Sequence, residues 1–393
     1  MKILFWIFIG FDKHETSEHL LISVIEQLCK AGHEVHILQK NTGGNLPSIP
    51  EKLNCYKVFT DTIPFVAATK NNFVARYLVE LNYVRACNKY ITRDYDAVFL
   101  QSNTVAGYAI KTVRDKLKDA IVTFNVQDIF PYNAVYSGSI KKNGLVFQVM
   151  AQLQRYGYKH SDHIITISED MKETLVKDGT PAEKIEVIYN WSYQDEPYDR
   201  NKLDMSVPDR LFSKNYFNVV YAGNIGVMQN VDVLIEAAAL MKDKNHVWFH
   251  IIGNGQYKER LQNKANRLGI TNISFWPMQQ PKDAPSIYIA ADVNVIPLKK
   301  DVYRTALPSK TATCFACGQP IIFTIGKDSK FGEKVEKEAG CVVVESDKAE
   351  ELVEAINQLY YVNNKKIDST FFRRFMGRSL NSQCYSNVIT RSL

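Results

Sequence analysis

The side chains best suited to hold a charged ligand gather in one short stretch, Arg304-Thr305-Ala306-Leu307-Pro308-Ser309-Lys310. It leads into an apolar helical pattern that closes at Cys317-Gly318-Gln319-Pro320. Pro308 suits a first helical turn, where its missing N–H costs nothing, so Ser309 and Lys310 would stand at the positive end of a helix. Free N–H groups there, joined by the Lys310 ammonium, make a seat for a diphosphate, with Arg304 as the second candidate cation. Thr305, Ala306, Leu307 and Thr313 are the side chains expected around the rest of such a ligand. The same stretch also reads as an ordinary solvated helix start.

Three glycine loops follow apolar runs: Gly10 with Phe11 and Asp12, then Gly223-Asn224-Ile225-Gly226, then Gly253-Asn254-Gly255. Glycine there lets backbone amides approach a phosphate, although tight strand-to-helix turns ask for it too. None completes the dinucleotide pattern GxGxxG, which weighs against a nicotinamide enzyme. Asp128 follows the run Ile121 to Phe124 and offers a carboxylate to orient an acceptor hydroxyl or a donor sugar, with Asn125 and Gln127 as hydrogen-bonding neighbours. An Asp before an aromatic residue and Pro131 is equally a turn former. Asp94-Tyr95-Asp96 has the spelling of a divalent-cation motif but precedes its strand, and the eight histidines show no ligand spacing, so no metal is expected.

These residues must be positioned by the elements between them. Short continuous apolar runs, Ile3 to Ile9, Val35 to Leu38, Ala97 to Leu100, Ile121 to Phe124, His163 to Ile167 and Ile185 to Ile188, fit strands buried on both faces. Helical patterns alternate with them, the clearest placing Leu20, Leu21, Val24, Ile25 and Leu28 on one face before Gly32. Polar, proline-containing sequence from Asp195 to Lys214 interrupts the rhythm, which restarts with Val219 to Ala222, Val247 to Ile252, Ile273 to Trp276, Val293 to Pro297, Ile321 to Thr324 and Cys341 to Val344. The alternation predicts an α/β chain of two Rossmann-like, doubly wound parallel-sheet domains facing a central cleft, with ligands at the carboxyl ends of the strands.

Composition agrees with two well-filled cores: 393 residues, 46% hydrophobic and 23% charged. A net charge of +6 suits an anionic ligand or membrane surface and falls short of a nucleic-acid binder. Seven scattered cysteines point to a reducing cytoplasm, and Cys314 with Cys317 reads as helix packing rather than as a redox pair. The opening apolar run is too short for a signal or a membrane span, so membrane contact is expected to be peripheral. Two basic, aromatic segments are candidates for it: Lys141 to His160, which also fits an ordinary packed helix, and Lys70 to Arg93.

Over nearly its whole length the chain resembles the family 4 glycosyltransferases, and within them bacterial surface-polysaccharide enzymes similar to L-fucosaminyl transferases. The matching segments are Gly32-His33-Glu34-Val35, Val126-Gln127-Asp128-Ile129-Phe130-Pro131, Ser161 to Ser168, Lys184 to Trp191, Tyr221 to Gly226, and Leu307-Pro308-Ser309-Lys310 with Gly318-Gln319-Pro320. The resemblance implies the GT-B fold, with an acceptor-side domain over 1–195, a donor domain over 196–370 and a last helix within 371–393 crossing back to the first domain. It implies a donor base near Gly253 to Gly255, a diphosphate near Gly223 to Gly226 and Ser309, retention of configuration, and no cofactor or obligatory metal.

Two departures stand out. The Glu-x7-Glu motif of many members is replaced by Thr305 and Thr313, and the usual Arg and Lys after the Gly223 loop by Asn224 and Gln229. Charge neutralisation then falls first to Lys310. The expected activity is transfer of a hexose or N-acetylated amino sugar from a nucleotide diphosphate, with UDP the favoured nucleotide, to a lipid-linked glycan on the inner face of the plasma membrane. A UDP-sugar epimerase and a non-catalytic donor-binding subunit are the alternatives.

Overall fold

The computed structural model describes residues 1–11, 17–43, 49–67, 73–92, 94–244, 246–362 and 366–392. They form two compact units: Met1–Asn190 with Thr305–Leu307 and Arg378–Leu393, and Trp191–Arg304 with Pro308–Gly377.

The first unit is a seven-stranded parallel sheet: β1 (Lys2–Trp6), β2 (Glu34–Asn41), β3 (Val58–Pro64), β4 (Ala97–Gln101), β5 (Ile121–Val126), β6 (His163–Thr166) and β7 (Ile185–Val187), in the order β3-β2-β1-β4-β5-β6-β7. Its middle strands are mostly apolar because both faces are covered, with Gln101, Thr123 and Asn125 as buried polar exceptions; Ile3, Leu4, Phe5 and Trp6 are all buried. β3 is the one strand here that sequence runs do not announce. It is an edge strand whose side chains alternate in burial, so its apolar residues are interleaved with Thr60, Asp61 and Thr62. The helix Glu18–Lys30 buries the predicted Leu20, Leu21, Val24, Ile25 and Leu28 face.

The second unit is a six-stranded parallel sheet: β8 (Phe217–Ala222), β9 (Val247–Ile252), β10 (Ile273–Trp276), β11 (Val293–Pro297), β12 (Ile321–Thr324) and β13 (Val342–Val344), ordered β10-β9-β8-β11-β12-β13. In both sheets the order reverses beside the first strand, between β1 and β4 and between β8 and β11, which marks the carboxyl ends of β1 and β8 as ligand sites.

The C-terminal stretch is two helices rather than one. Ser369–Phe375 stays with the second unit, the chain breaks at Met376 and Gly377, and Arg378–Thr390 belongs to the first unit. There Arg378 donates to Ser23 Oγ (3.0 Å) and Glu26 (2.7 Å). The thiols of Cys314 and Cys317 are buried in the helix Thr311–Cys317. The Asp94-Tyr95-Asp96 spelling serves the sheet: Asp94 pairs with the Lys2 ammonium, and Asp96 accepts from the Lys2 backbone N–H at 2.7 Å.

Candidate functional site

In the second unit the loops after β8 and β9 are laced together by their backbones. Gly223 N–H donates to Ile252 O (2.9 Å), Ile225 N–H to Asn254 O (2.9 Å), and Tyr257 N–H to Ile225 O (3.1 Å). Gly253 and Gly255 have φ of +149° and +159°, and a Cβ on either would collide with the carbonyl of Gly223 or Ile225. The two glycines are therefore required first by contact between the loops. At Gly223 (φ +146°) the vacancy has a different occupant: a Cβ there would lie 2.7 Å from Lys310 Nζ.

Lys310 is the amine beside these loops. Its Nζ is shielded from solvent, has no hydrogen-bond partner among the described residues, and lies 3.7 Å from the centre of the buried Tyr221 ring. Burial pulls its pKa down to about 7, with the Cys314 thiol acting weakly the other way. The helix that follows differs from the expectation. It covers only Thr311–Cys317, Pro308 precedes it, and Lys310 is its capping residue, so the helix contributes little as an anion seat and the amine itself is the feature. Ser309 is exposed and Thr313 half-buried.

Arg304, the second candidate cation, is already compensated. Its guanidinium binds Asp328 and lies 3.3 Å from Asp301, and Tyr303 donates to the same Asp328 at 2.5 Å.

Asp128 belongs to the first unit, where it forms an antiparallel bridge with Ala306 while Ile129 N–H donates to Thr305 O at 2.9 Å. This pairing assigns Thr305, Ala306 and Leu307 to the Asp128 neighbourhood and leaves Ser309 and Lys310 with the glycine loops. Asp128 Oδ1 accepts from Asn133 Nδ2 (2.6 Å), and burial raises its carboxyl to about 6 against that bond. Asn125 and Gln127, expected beside a sugar, are tied to each other and to neighbouring side chains. Gln127 Nε2 donates to Asn125 Oδ1 and to Tyr385 Oη, both at 3.1 Å, and its Oε1 accepts from Asn190 at 2.8 Å. Tyr385 Oη in turn donates to Asn125 Oδ1 at 3.2 Å, and Asn125 is buried. Gly10 likewise sits in the first unit, after β1, with its neighbour Phe11 N–H on Gln39 (2.9 Å); Asp12, Lys70 and Arg93 lie outside the described residues.

Against this geometry, a model described as "Glycosyltransferase Family 4" matches residues 17–191 and one described as "Glycosyl transferases group 1" matches 216–361. An Escherichia coli glycosyl transferase named for colanic acid biosynthesis, WcaI, is 29% identical over 68% of this chain and 66% of its own length. The Pseudomonas aeruginosa glycosyltransferase WbjE is 21% identical over 54% of this chain and 53% of its own. The chain belongs to the family 4 glycosyltransferases. It spans between about half and two thirds of the length of these two relatives. Among solved structures, Anabaena HepE in complex with UDP and glucose superposes with a TM-score of 0.64 at 16% identity, covering 99% of this chain and 95% of that one. The lipopolysaccharide outer core galactosyltransferase WaaB gives 0.66 at 16%, covering 99% of each. Both establish the GT-B fold.

The departures of this family 4 chain now have places. Asn224 and Gln229 stand together against Gly226, their side-chain amides 3.4 Å apart, and carry no charge to it. Thr305 is buried, with its carbonyl spent on Ile129. Three residues emerge that sequence reading passes over. Lys258 Nζ ties the loop after β9 by donating to Gly253 O (2.8 Å) and Trp276 O (2.7 Å), a role hidden because Lys258 reads as one charged residue of a polar helix. Tyr221 reads only as a buried strand residue. Tyr385 meets partners some 260 positions away, beyond any local pattern. Tyr385→Phe is expected to lower stability by about 1 kcal/mol, measured by denaturant melts, because buried Asn125 and half-buried Gln127 lose a shared partner.

Proposed function

We propose that the chain is a glycosyltransferase moving a hexose or N-acetylated amino sugar from a UDP-sugar to a lipid-linked glycan in surface-polysaccharide synthesis. Family membership supports the reaction class. The observation that carries the donor assignment is Lys310, a desolvated amine without an anion, set against a glycine loop at the carboxyl end of β8. A cation kept from water costs free energy that an arriving diphosphate repays, and a small shift of the Lys310 torsions or of the loop brings the two together. Transfer proceeds with retention. The bond from the anomeric carbon to the diphosphate oxygen breaks, the acceptor hydroxyl bonds to the same face, and its proton leaves with the nucleotide diphosphate. No cofactor or metal takes part, and the leaving group is stabilised by Lys310 and loop amides.

Asp128 is proposed to orient the acceptor hydroxyl, which requires its carboxylate form. With the carboxyl raised to about 6, kcat/KM should fall as pH drops through that value, and Asp128→Asn should lower kcat about 100-fold and abolish the acid limb. A screen of nucleotide sugars, followed by UDP release with lipid-linked acceptors, tests the whole reading. Donor binding without turnover on any acceptor would favour a non-catalytic subunit.

The acceptor's lipid fits contact with the inner face of the plasma membrane. No helix among the described residues is long and apolar enough to cross a membrane. The helix Leu145–His160 exposes Leu145, Val146 and Val149 beside Lys141, Lys142, Arg155 and Lys159, and no acid occurs between Asp128 and Asp162. Such a surface suits anionic head groups. Vesicles rich in phosphatidylglycerol should sediment the protein, and phosphatidylcholine vesicles or a Leu145→Ser/Lys142→Glu variant should not; equal binding in all three would refute the surface.

A further inference from the structure

The amine of Lys310 needs an explanation of its own. A buried lysine ordinarily finds a carboxylate or a carbonyl, and this one has neither. The titratable groups facing it are the Tyr221 phenol, from β8, and the Cys314 thiol, one turn along its own helix. No Asp or Glu among the described residues pairs with it. What it has is a ring face at 3.7 Å, close enough for a desolvated cation–π contact.

Tyr221 is itself fixed. It is buried in β8, and its hydroxyl donates to the carbonyl of Asn224 in the glycine loop. One side chain thus touches both the cation and the loop that the diphosphate reading invokes. Strand propensity alone does not single out tyrosine at this position; the residue adds a ring face toward Lys310 and a hydroxyl bond to the loop.

We propose that Tyr221 is the positioning residue for Lys310, holding the amine by its ring face at the wall of the Gly223 loop and the loop itself by its hydroxyl. This rests on the donor reading above and adds the group that makes a lone lysine serve as the diphosphate's counter-charge. A long flexible side chain would otherwise lose much of its rotamer freedom on meeting the anion.

Shape-preserving substitution tests it, because Tyr221→Leu alone risks misfolding. Phe at this position keeps the ring and drops the hydroxyl; its trifluorinated analogue, incorporated biosynthetically, keeps the shape and withdraws the π density. UDP affinity is read by calorimetry, with melting curves confirming the fold. Expected is a loss of about 3-fold for Tyr221→Phe and a further ~10-fold on fluorination, the latter vanishing in a Lys310→Met background. Affinity unchanged by fluorination, or a fluorination loss that persists without Lys310, overturns the proposal while leaving the donor reading intact. A wild-type protein that binds neither UDP nor any other nucleoside diphosphate overturns the donor reading itself, and this proposal with it.

Discussion

Lys310→Met should weaken UDP binding by about 100-fold, near 3 kcal/mol, and at the same time raise the melting temperature. The two effects share one cause. In the donor-free protein the amine is buried without a counter-ion, and its pKa is drawn from 10.5 to about 7. As pH falls from 10.5 to 7 the unfolded chain binds this proton before the folded one does, so stability declines across that window and is constant below it. Methionine fills similar volume without the charge and removes that slope. Melting temperatures of the two proteins should therefore differ most near or below pH 7 and converge toward pH 10.5. Loss of binding with no gain in stability would mean that the lysine finds a partner in solution that the structure does not place there. Such opposition between stability and function is expected where a site is built around an unfavourable group.

Gly253→Ala is expected to be strongly damaging to the candidate site. Its φ of +149° already excludes most side chains, and the added methyl would strike the backbone carbonyl of Gly223, which no rotamer change relieves. A loss of roughly 3 to 5 kcal/mol follows, together with UDP binding, because the two loops can no longer share hydrogen bonds. Gly269→Ala is the control. That glycine also has positive φ, +62°, but open space around it, and should cost only about 1 kcal/mol. Denaturant melts of both variants separate strain at the residue from collision between the loops.

Strand runs were the part of the fold most legible in sequence. Val247 to Ile252 and Val293 to Pro297 coincide with β9 and β11 to the residue, because a strand covered on both faces is mostly apolar, with His250 and Asn294 as buried polar exceptions. β3 escaped for the converse reason. The candidate site is legible where its parts are local: the glycine loops after β8 and β9 and Lys310, all marked by sequence, stand together in the second unit. It is not legible where it depends on partners distant in sequence. Arg304 is spelled like a free cation but is met by Asp301 and Asp328, and Gln127 is spelled like a sugar ligand but is saturated by Asn125, Asn190 and Tyr385. Side-chain satisfaction is a property of the folded neighbourhood, and no window along the chain contains it.

The first unit is stitched from three pieces of chain, the last being Arg378–Leu393. In order of synthesis this makes the second unit an interlude. While the ribosome is still producing it, Asn125 and Gln127 have been made but lack the hydroxyl of Tyr385 that will satisfy them, and Ser23 and Glu26 wait for Arg378. The first unit is thus begun early in synthesis, while the contacts made by Arg378 and Tyr385 are added only after the second unit has been made.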